Sequence, residues 1–141
     1  MSSCLFCQIV AGEIPAFRIA ETERAIAFMD IFPATPGHAL VIPRQHSADA
    51  LEAPSEDLAA CMALAASVGR AAVAELGVDG VTFQSLARPA AGQTVFHLHI
   101  HVIPRQDGDQ FVFPWPAQPG ELTEIEAHAE RLRGALTNDS F

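Results

Sequence analysis

Apolar and polar positions follow two different periods along this chain, and each period predicts a type of element. From residue 55 to residue 76 apolar residues recur at helical spacing, after Pro54 and before Gly77, so a long helix is expected there. Short apolar or alternating runs predict strands at residues 18–21, 25–30, 38–42, 81–86 and 95–103. Shorter helices are predicted at residues 5–12 and 121–132. The order α-β-β-β-α-β-β-α indicates an α+β fold, a mostly antiparallel sheet with the long helix on one face.

The chain has the length of a single domain. It has 141 residues and half of them are apolar, which is enough for one core. We therefore expect one domain over residues 1–141. Its motifs lie within residues 4–106, and residues 107–141 are predicted to form an irregular, proline-containing linker and a C-terminal helix.

The predicted strand at residues 95–103 carries an unusual alternation of histidines and large apolar residues. The histidines are His97, His99 and His101, and the apolar positions are Phe96, Leu98, Ile100 and Val102. In a strand the apolar set would enter a core and the histidines would form a row on the other face. The outer two histidines would be about 13 Å apart, too far to bind one metal ion together. The three rings are therefore expected to have different roles.

A neutral imidazole is a competent nucleophile near pH 7, because its ordinary pKa is about 6.5. It can attack phosphorus and form a covalent intermediate, which divides one difficult displacement into two easier ones. The attacking nitrogen must be unprotonated, so the other ring nitrogen should donate to a carbonyl or carboxylate.

A second segment is similar in sequence to the histidine run. Residues 38–45 match residues 99–106 at six of eight positions, although the flanking residues do not match. Two interpretations remain open. Either two strands of one sheet have similar endings, or both strands present a histidine to a shared cleft.

The run His97–His101, with its lead-in Gly92-Gln93-Thr94, resembles the motif of the histidine triad family of nucleotide hydrolases and transferases. Residues 28–31 and 37–46 resemble the other shared segments of that family, and Cys4-Leu5-Phe6-Cys7 resembles its zinc-binding branch. The resemblance covers residues 4 to about 106. It implies the same α+β fold, a homodimer, and hydrolysis at the α-phosphate of purine nucleoside phosphoramidates or dinucleoside polyphosphates through a nucleotidyl-histidine.

The resemblance also implies roles for single residues. His99 would be the nucleophile, His101 would bind the scissile phosphate or assist the leaving group, and His38 would support the nucleophile. Thr94 would contact the phosphate or the leaving group, and Gln93 in the same loop would donate to phosphate oxygens.

Nucleoside recognition would belong to the segment at residues 28–31. Asp30 matches the carboxylate that accepts from the ribose hydroxyls in the family, and Phe28 and Ile31 match apolar residues of the base pocket. Without the histidine run, the same residues would be interpreted as a turn-capping aspartate and ordinary core positions.

The pair Cys4 and Cys7 could bind zinc, act in redox chemistry or have no role, since a C-x-x-C motif alone is a weak signal. In the zinc-binding branch that the chain resembles, His46 and His97 complete a Cys₂His₂ set. Such a closed tetrahedral zinc site would be structural.

One position departs from the family pattern. The family carries an asparagine a few residues before Gly92 that contacts the scissile phosphate, and here Leu86 and Ala87 stand in that place. Gln84, Ser85 and Arg88 are the candidates to take over its role. The loss of one preorganised donor costs on the order of a hundredfold in rate.

Charge and cysteine content limit the partners and the compartment. The formal net charge is −9, with eight arginines and no lysine, which argues against binding to polymeric nucleic acid. No run approaches the roughly 20 apolar residues of a membrane span, and the first residues do not resemble a signal peptide. We therefore expect a cytoplasmic protein without a disulfide framework, in which Cys61 is a buried core residue.

Three function classes follow from the sequence. The first is the nucleotide hydrolase or transferase, with structural zinc. The second is a nucleotide-binding sensor or docking module with weak catalysis, which the missing asparagine favours. The third, a metalloenzyme that uses His-x-His as ligands, is the least favoured because no acidic ligand or third close histidine is evident.

Overall fold

The computed structural model describes residues 3–136, which form three helices and one five-stranded antiparallel sheet. The helices are α1 (Leu5–Val10), α2 (Ser55–Leu76) and α3 (Leu122–Leu136). The strands are β1 (Arg18–Glu21), β2 (Ala25–Met29), β3 (Ala39–Pro43), β4 (Gly80–Gln84) and β5 (Ile100–Arg105). Their order across the sheet is β1-β2-β3-β5-β4. The predicted α+β fold is confirmed.

The two faces of the sheet pack against different elements. Alternate residues of β2, β3 and β5 contact α2 and α3 and form the larger core, which includes Ala27, Val41 and Val102. The opposite residues form a smaller core with Phe6 and Ile9 of α1. The described part of the chain therefore has a thick helical layer on one face and a thin layer on the other, which leaves room for a cavity.

Helix α2 begins and ends where the sequence predicts. Pro54 precedes it in an extended conformation, Glu56 and Asp57 lie in its first turn, and Gly77 ends it with φ of +65°, a conformation that glycine adopts without strain. By length and composition alone α2 is apolar enough to cross a membrane, which corrects the expectation that no segment is. Its inward residues pack on the sheet.

The strand predicted at residues 95–103 is wrong at its beginning. Strand β5 starts only at Ile100, and the chain from Val95 to His99 runs beside the sheet without joining its ladder. The side chain of Leu98 is buried as expected, whereas Phe96 is 48% exposed and does not enter the core. The backbone N–H of Leu98 donates to the carbonyl of Ser47, a contact that the local pattern does not reveal.

The segment before α3 is more than a linker. Its rings at Phe111, Phe113 and Trp115 lie close together, and Trp115 packs edge-on against His38 and His101, with ring centroids 5.3 Å apart in both cases. The prolines of this segment thus belong to a loop that folds back over the face of the sheet that carries the histidines.

Candidate active site

A cavity of about 440 Å³ lies on the α1 side of the sheet. Its walls come from α1, the end of β2, the loop before the histidine run and the loop that carries Trp115, and both His99 and His101 line it. Most of its lining side chains are apolar, and among them there is no arginine, in a chain that contains no lysine. The cavity is therefore suited to a flat apolar group next to a small polar centre.

The backbone carbonyl of His97 holds the His99 ring in one tautomer. Its Nδ1 lies 2.8 Å from the carbonyl oxygen of His97, and a carbonyl only accepts, so Nδ1 carries the proton. The Nε2 atom is therefore unprotonated. Burial lowers the pKa of His99 below its ordinary value, which keeps the ring neutral. These features give an imidazole with a free nucleophilic nitrogen in the cavity lining.

His101 has the opposite arrangement, which a chain of hydrogen bonds fixes. The backbone N–H of Ala34 donates to Nδ1 of His38 at 2.9 Å, so the proton of His38 is on Nε2. That Nε2 lies 2.9 Å from Nδ1 of His101 and donates to it. His101 therefore carries its own proton on Nε2. The two neighbouring rings, with centroids 5.0 Å apart, offer one lone pair and one N–H donor.

Burial also determines the charge of this histidine pair. Burial, together with the nearby histidine rings, lowers the pKa of His38 and of His101 to about 3. His38 contacts His101 but is fully buried and does not line the cavity, so the interpretation in which both strands present a histidine to a shared cleft is not confirmed. The pair stays neutral near pH 7 and supplies a hydrogen bond without a positive charge.

The residues predicted to bind the nucleoside lie together at one end of the cavity. Phe28 is buried in the cavity wall, while Ile31 is 45% exposed at the mouth. Oδ1 of Asp30 accepts from the backbone N–H of Phe32, and Oδ2 lies 3.5 Å from Nε2 of His38. Burial raises the pKa of Asp30, and the bond from Phe32 opposes this shift. The arrangement leaves carboxylate acceptor sites beside an apolar slot.

Gln93 and Thr94 both line the cavity but differ in their bonds. The side-chain amide of Gln93 donates to the carbonyls of Ala48 and Val95, so the expected donation to phosphate would need one of these bonds to break. Its Oε1 accepts from the backbone N–H of Arg88, whose φ of +77° is strained for a residue other than glycine. Gln93 therefore holds the loop in place, and Thr94 is exposed on the cavity side.

The loop without the expected asparagine presents an apolar side chain to the cavity. Leu86 is part of the lining, and Arg88 is not; the Arg88 guanidinium lies 3.6 Å from Asp49. The Ser85 hydroxyl donates to the carbonyl of His99. Gln84 pairs with His101 across the sheet, and its buried side-chain nitrogen has no hydrogen-bond partner within residues 3–136. None of the three candidate substitutes lines the cavity.

The sequence did not indicate the aromatic residues that complete the cavity. Phe113 and Trp115 lie about 15 residues beyond the histidine run and contribute to the lining. Leu5, Phe6 and Ile9 of α1 form another wall. Only the high aromatic and proline content of residues 111–119 could have drawn attention to that loop.

Four residues form a compact metal-binding set behind α1. The ligand atoms of Cys4, Cys7, His46 and His97 all lie within 4.8 Å of one another. The two Nδ1 atoms are 3.2 Å apart, and each lies 3.3–3.5 Å from a cysteine sulfur. These separations match the edges of a tetrahedron around zinc with bonds of about 2.0–2.3 Å. The Nε2 of His97 donates to the carbonyl of Pro43 at 2.9 Å, so its Nδ1 lone pair is free to bind a metal.

A second group of possible ligands, Asp30, His38 and His101, does not fit a metal in the same way. Nδ1 of His38 already accepts a backbone N–H, so its Nε2 must carry the proton of the neutral ring and cannot ligate. This group is a hydrogen-bonded relay, and the disfavoured metalloenzyme interpretation finds no support in it.

Comparison with known proteins agrees with the fold. A family model of the HIT domain matches residues 11–108. An HIT-like protein of Mycobacterium tuberculosis is 44% identical over 133 residues, 94% of this chain and 92% of the relative. The adenosine 5'-monophosphoramidase of Schizosaccharomyces pombe is 37% identical over 135 residues, 95% of this chain and 98% of that enzyme.

A solved structure is similar over nearly the whole chain. The Zn-bound histidine triad family protein from Mycobacterium smegmatis has a TM-score of 0.84 and 40% sequence identity, and the match covers 96% of this chain and 94% of that one. With an HIT-domain match over most of its length and these relatives, the chain belongs to the histidine triad (HIT) family.

Proposed function

We propose that this protein hydrolyses purine nucleoside phosphoramidates through a covalent nucleotidyl-His99 intermediate. The observation that carries this proposal is the hydrogen bond from Nδ1 of His99 to the carbonyl of His97, which leaves Nε2 of His99 unprotonated in the cavity lining. The phosphoramidase name of the Schizosaccharomyces pombe relative supports the same reaction class.

In the first step Nε2 of His99 attacks phosphorus, and the bond from phosphorus to the leaving nitrogen breaks. The amine departs with a proton taken from solvent. The nucleotidylated ring becomes cationic and keeps its Nδ1–H, which the carbonyl of His97 stabilises. In the second step water attacks phosphorus, the P–Nε2 bond breaks, the nucleoside monophosphate leaves and the water releases a proton to solvent.

His101 is suited to hydrogen bonding and poorly suited to proton delivery. Its Nε2–H lies beside the nucleophile. With a pKa of about 3, the ring has already lost its second proton near pH 7, and the neutral ring does not readily release the remaining N–H proton. We therefore assign His101 the role of a donor to a phosphoryl oxygen, where a preorganised N–H stabilises developing charge. His38 orients His101 through the relay from Ala34.

The charge of the cavity favours a substrate with a single phosphate. A dinucleoside polyphosphate carries several negative charges along its chain, and such chains are bound by arginine, lysine or a metal ion. The cavity lining has no basic side chain apart from neutral histidines and contains one carboxylate, in a chain with a net charge of −9. Phosphoramidates are therefore the favoured class of substrate over dinucleoside polyphosphates.

The test compares two substrates at equal concentration, an adenosine 5'-phosphoramidate and a diadenosine polyphosphate. We expect kcat/KM to be at least about a hundredfold higher for the phosphoramidate, which corresponds to about 2.7 kcal/mol of transition-state discrimination. Equal or reversed values would contradict the assignment. Binding of AMP without turnover of either substrate would instead favour the nucleotide-binding module.

We further propose that the set Cys4, Cys7, His46 and His97 holds a structural zinc ion. The separations of its ligand atoms and the Zn-bound relative support this assignment. When bound, zinc would fix α1 and the turn that carries His97. It would take no part in the displacement at phosphorus, because all four positions of a tetrahedral site are filled by protein ligands.

A further inference from the structure

Helix α1 separates the metal-binding set from the cavity and contributes to both. Cys4 caps its beginning and Cys7 lies in its first turn. Leu5, Phe6 and Ile9, which point to the other side, line the cavity. Because the helix has only six residues, any displacement of the two cysteines also displaces the residues that form the cavity wall.

The ring of Phe6 contacts residues of both sites. Its centroid lies 5.9 Å from the ring of His97, 5.2 Å from the ring of His99 and 5.6 Å from the ring of Phe28, always in an edge-on arrangement. Phe6 is 5% exposed, so it has little room to move independently of these neighbours. One buried side chain therefore touches a metal ligand, the nucleophile and the base pocket.

The backbone provides a second connection. His97, whose Nδ1 belongs to the metal-binding set, offers its carbonyl oxygen to Nδ1–H of His99. Its own Nε2–H is held by the carbonyl of Pro43 at the end of β3. A change in the position of His97 would therefore alter the support of His99 as well as the packing of Phe6.

We propose that Phe6 is a positioning residue that couples metal binding to nucleotide binding, so that each ligand increases the affinity for the other. The inference rests on the proposed function only in that the cavity binds a nucleotide. Since coupling between two equilibrium binding sites is reciprocal, the factor by which zinc strengthens nucleotide binding equals the factor by which the nucleotide strengthens zinc binding.

The experiment measures the zinc affinity of the zinc-loaded protein by competition with a chromophoric chelator, with and without saturating AMP. We expect AMP to lower the zinc Kd about tenfold, within the usual range of coupling between sites. Calorimetric titration of AMP into zinc-loaded and zinc-depleted protein should give the same factor. This readout requires no turnover.

Three variants identify the path of the coupling. Phe6→Leu keeps apolar volume but removes the ring, and Phe6→Ala removes both; either should reduce the factor to less than about threefold. Ile14→Ala is the matched control, because Ile14 also lines the cavity but lies beyond α1. It should weaken AMP binding and leave the tenfold factor unchanged.

The outcomes separate this inference from the proposed function. AMP that binds while the zinc Kd stays within twofold overturns the coupling alone. A tenfold factor that remains in both Phe6 variants overturns the role of Phe6. Coupling of the two sites through unfolding of the whole domain would give that same result. AMP that does not bind at any concentration tested overturns the proposed function together with this inference.

Discussion

His99 and His101 differ in which ring nitrogen carries the proton, and the roles proposed for them follow from this difference. A backbone carbonyl fixes the first ring and a backbone N–H, acting through His38, fixes the second. Backbone groups hold their positions better than flexible side chains, so the cavity presents a lone pair and a donor without rearrangement.

Changing His99 to alanine should lower kcat on an adenosine phosphoramidate by at least about a thousandfold, because no other free imidazole nitrogen is placed to attack. The melting temperature should change little in the zinc-loaded protein. A fluorogenic phosphoramidate assay and a thermal scan on the same preparation give both values. Activity within tenfold of the wild type would contradict the nucleophile assignment.

The stability of the protein should fall as the pH falls below about 6.5. Burial lowers the pKa of His38 and His101 to about 3, whereas both rings titrate near 6.5 in the unfolded chain. Between these values the unfolded chain binds more protons, so the contribution of the two rings to the free energy of unfolding is fully present above pH 6.5 and is lost as the pH approaches 3. Each ring contributes a slope of about 1.4 kcal/mol per pH unit in that window.

Urea unfolding at pH 7.5, 6 and 5, with saturating zinc throughout, measures this slope. The variant His101→Gln should have a slope that is smaller by about one proton, or about 1.4 kcal/mol per pH unit between pH 6 and pH 5. Identical slopes in the variant and the wild type would show that His101 is not held neutral by burial.

The apolar wall at Leu86 leads to a prediction about the missing asparagine. Leu86→Asn should raise kcat/KM, because it adds a donor to the cavity lining near the phosphoryl site. Arg88→Ala should change kcat/KM less than threefold, since Arg88 contacts Asp49 outside the lining. A tenfold loss in the Arg88 variant would contradict this geometry.

Gln84 provides an independent test of which residue takes over the role of the missing asparagine. Its side-chain nitrogen is buried on the strand beside His101, has no hydrogen-bond partner among the described residues and lies outside the cavity lining. Gln84→Leu should therefore change kcat/KM less than threefold, and a tenfold loss would show that this donor reaches the substrate. Gln118→Leu is a matched control on the exposed part of the loop after Trp115. Unchanged kinetics in both variants would exclude Gln84 as the substitute for the asparagine.

At the scale of elements, α1 depends on the metal site more than any other helix does. It has only six residues, too few to be stable alone, and its cysteines belong to the set that fits zinc. Zinc would therefore stabilise both the helix and the cavity wall that it forms.

Replacing Cys4 and Cys7 by serine should abolish zinc binding, with one ion per chain in the wild type and none in the variant by elemental analysis. The free energy of unfolding should fall by about 4 kcal/mol at free zinc a thousand times its Kd. Cys61→Ala is the control, because Cys61 is buried in the larger core with α2 and α3, whereas Cys4 packs against the smaller core with α1. Wild-type protein prepared without chelator that contains no zinc would contradict the site.

Most elements were predictable from the sequence because their signals are local. Helix α2 was predicted with its observed bounds, from its periodic apolar positions and from Pro54 and Gly77 at its ends. Most strand ends agree with the prediction within two residues. The beginning of β5 was not predictable, because a hydrogen bond to Ser47 and the metal-binding set keep residues 95–99 outside the ladder. These contacts join residues about 50 positions apart.

The site residues likewise divide into those that local motifs predict and those that depend on distant contacts. The histidine run and the C-x-x-C pair are local motifs. The structure places His99 and His101 in the cavity lining, and His97 with the two cysteines in the metal-binding set. The packing of Trp115 on His38 and His101, and the use of Gln93 as a loop support, depend on distant backbone groups. No local pattern records such contacts.

At the scale of the whole molecule, strand β4 forms one open edge of the described sheet. Beside it, Phe83 of β4 and Met62 and Val73 of α2 are between 38% and 47% exposed. An open edge next to exposed apolar side chains is suited to pairing with a second copy about a twofold axis. We therefore propose the homodimer that the sequence resemblance implies.

Light scattering should give a mass of about twice 15.0 kDa across the micromolar range. Phe83→Glu should shift the mass toward that of one chain, because it places a charge in the proposed interface. Leu122→Glu, an exposed apolar position at the start of α3, is the control and should leave the mass unchanged. Wild-type protein that is monomeric over that range would contradict the dimer.

The most direct measurement of the central claim is a rapid-quench reaction of excess enzyme with an adenosine phosphoramidate, followed by mass spectrometry of the protein. A nucleotidyl-His99 intermediate predicts an adenylyl group on the peptide that contains residues 97–101, stable in base and labile in acid, and absent from His99→Ala. Release of AMP in a single turnover, with no labelled protein at any quench time and with the His99→Ala variant still active, would contradict the mechanism.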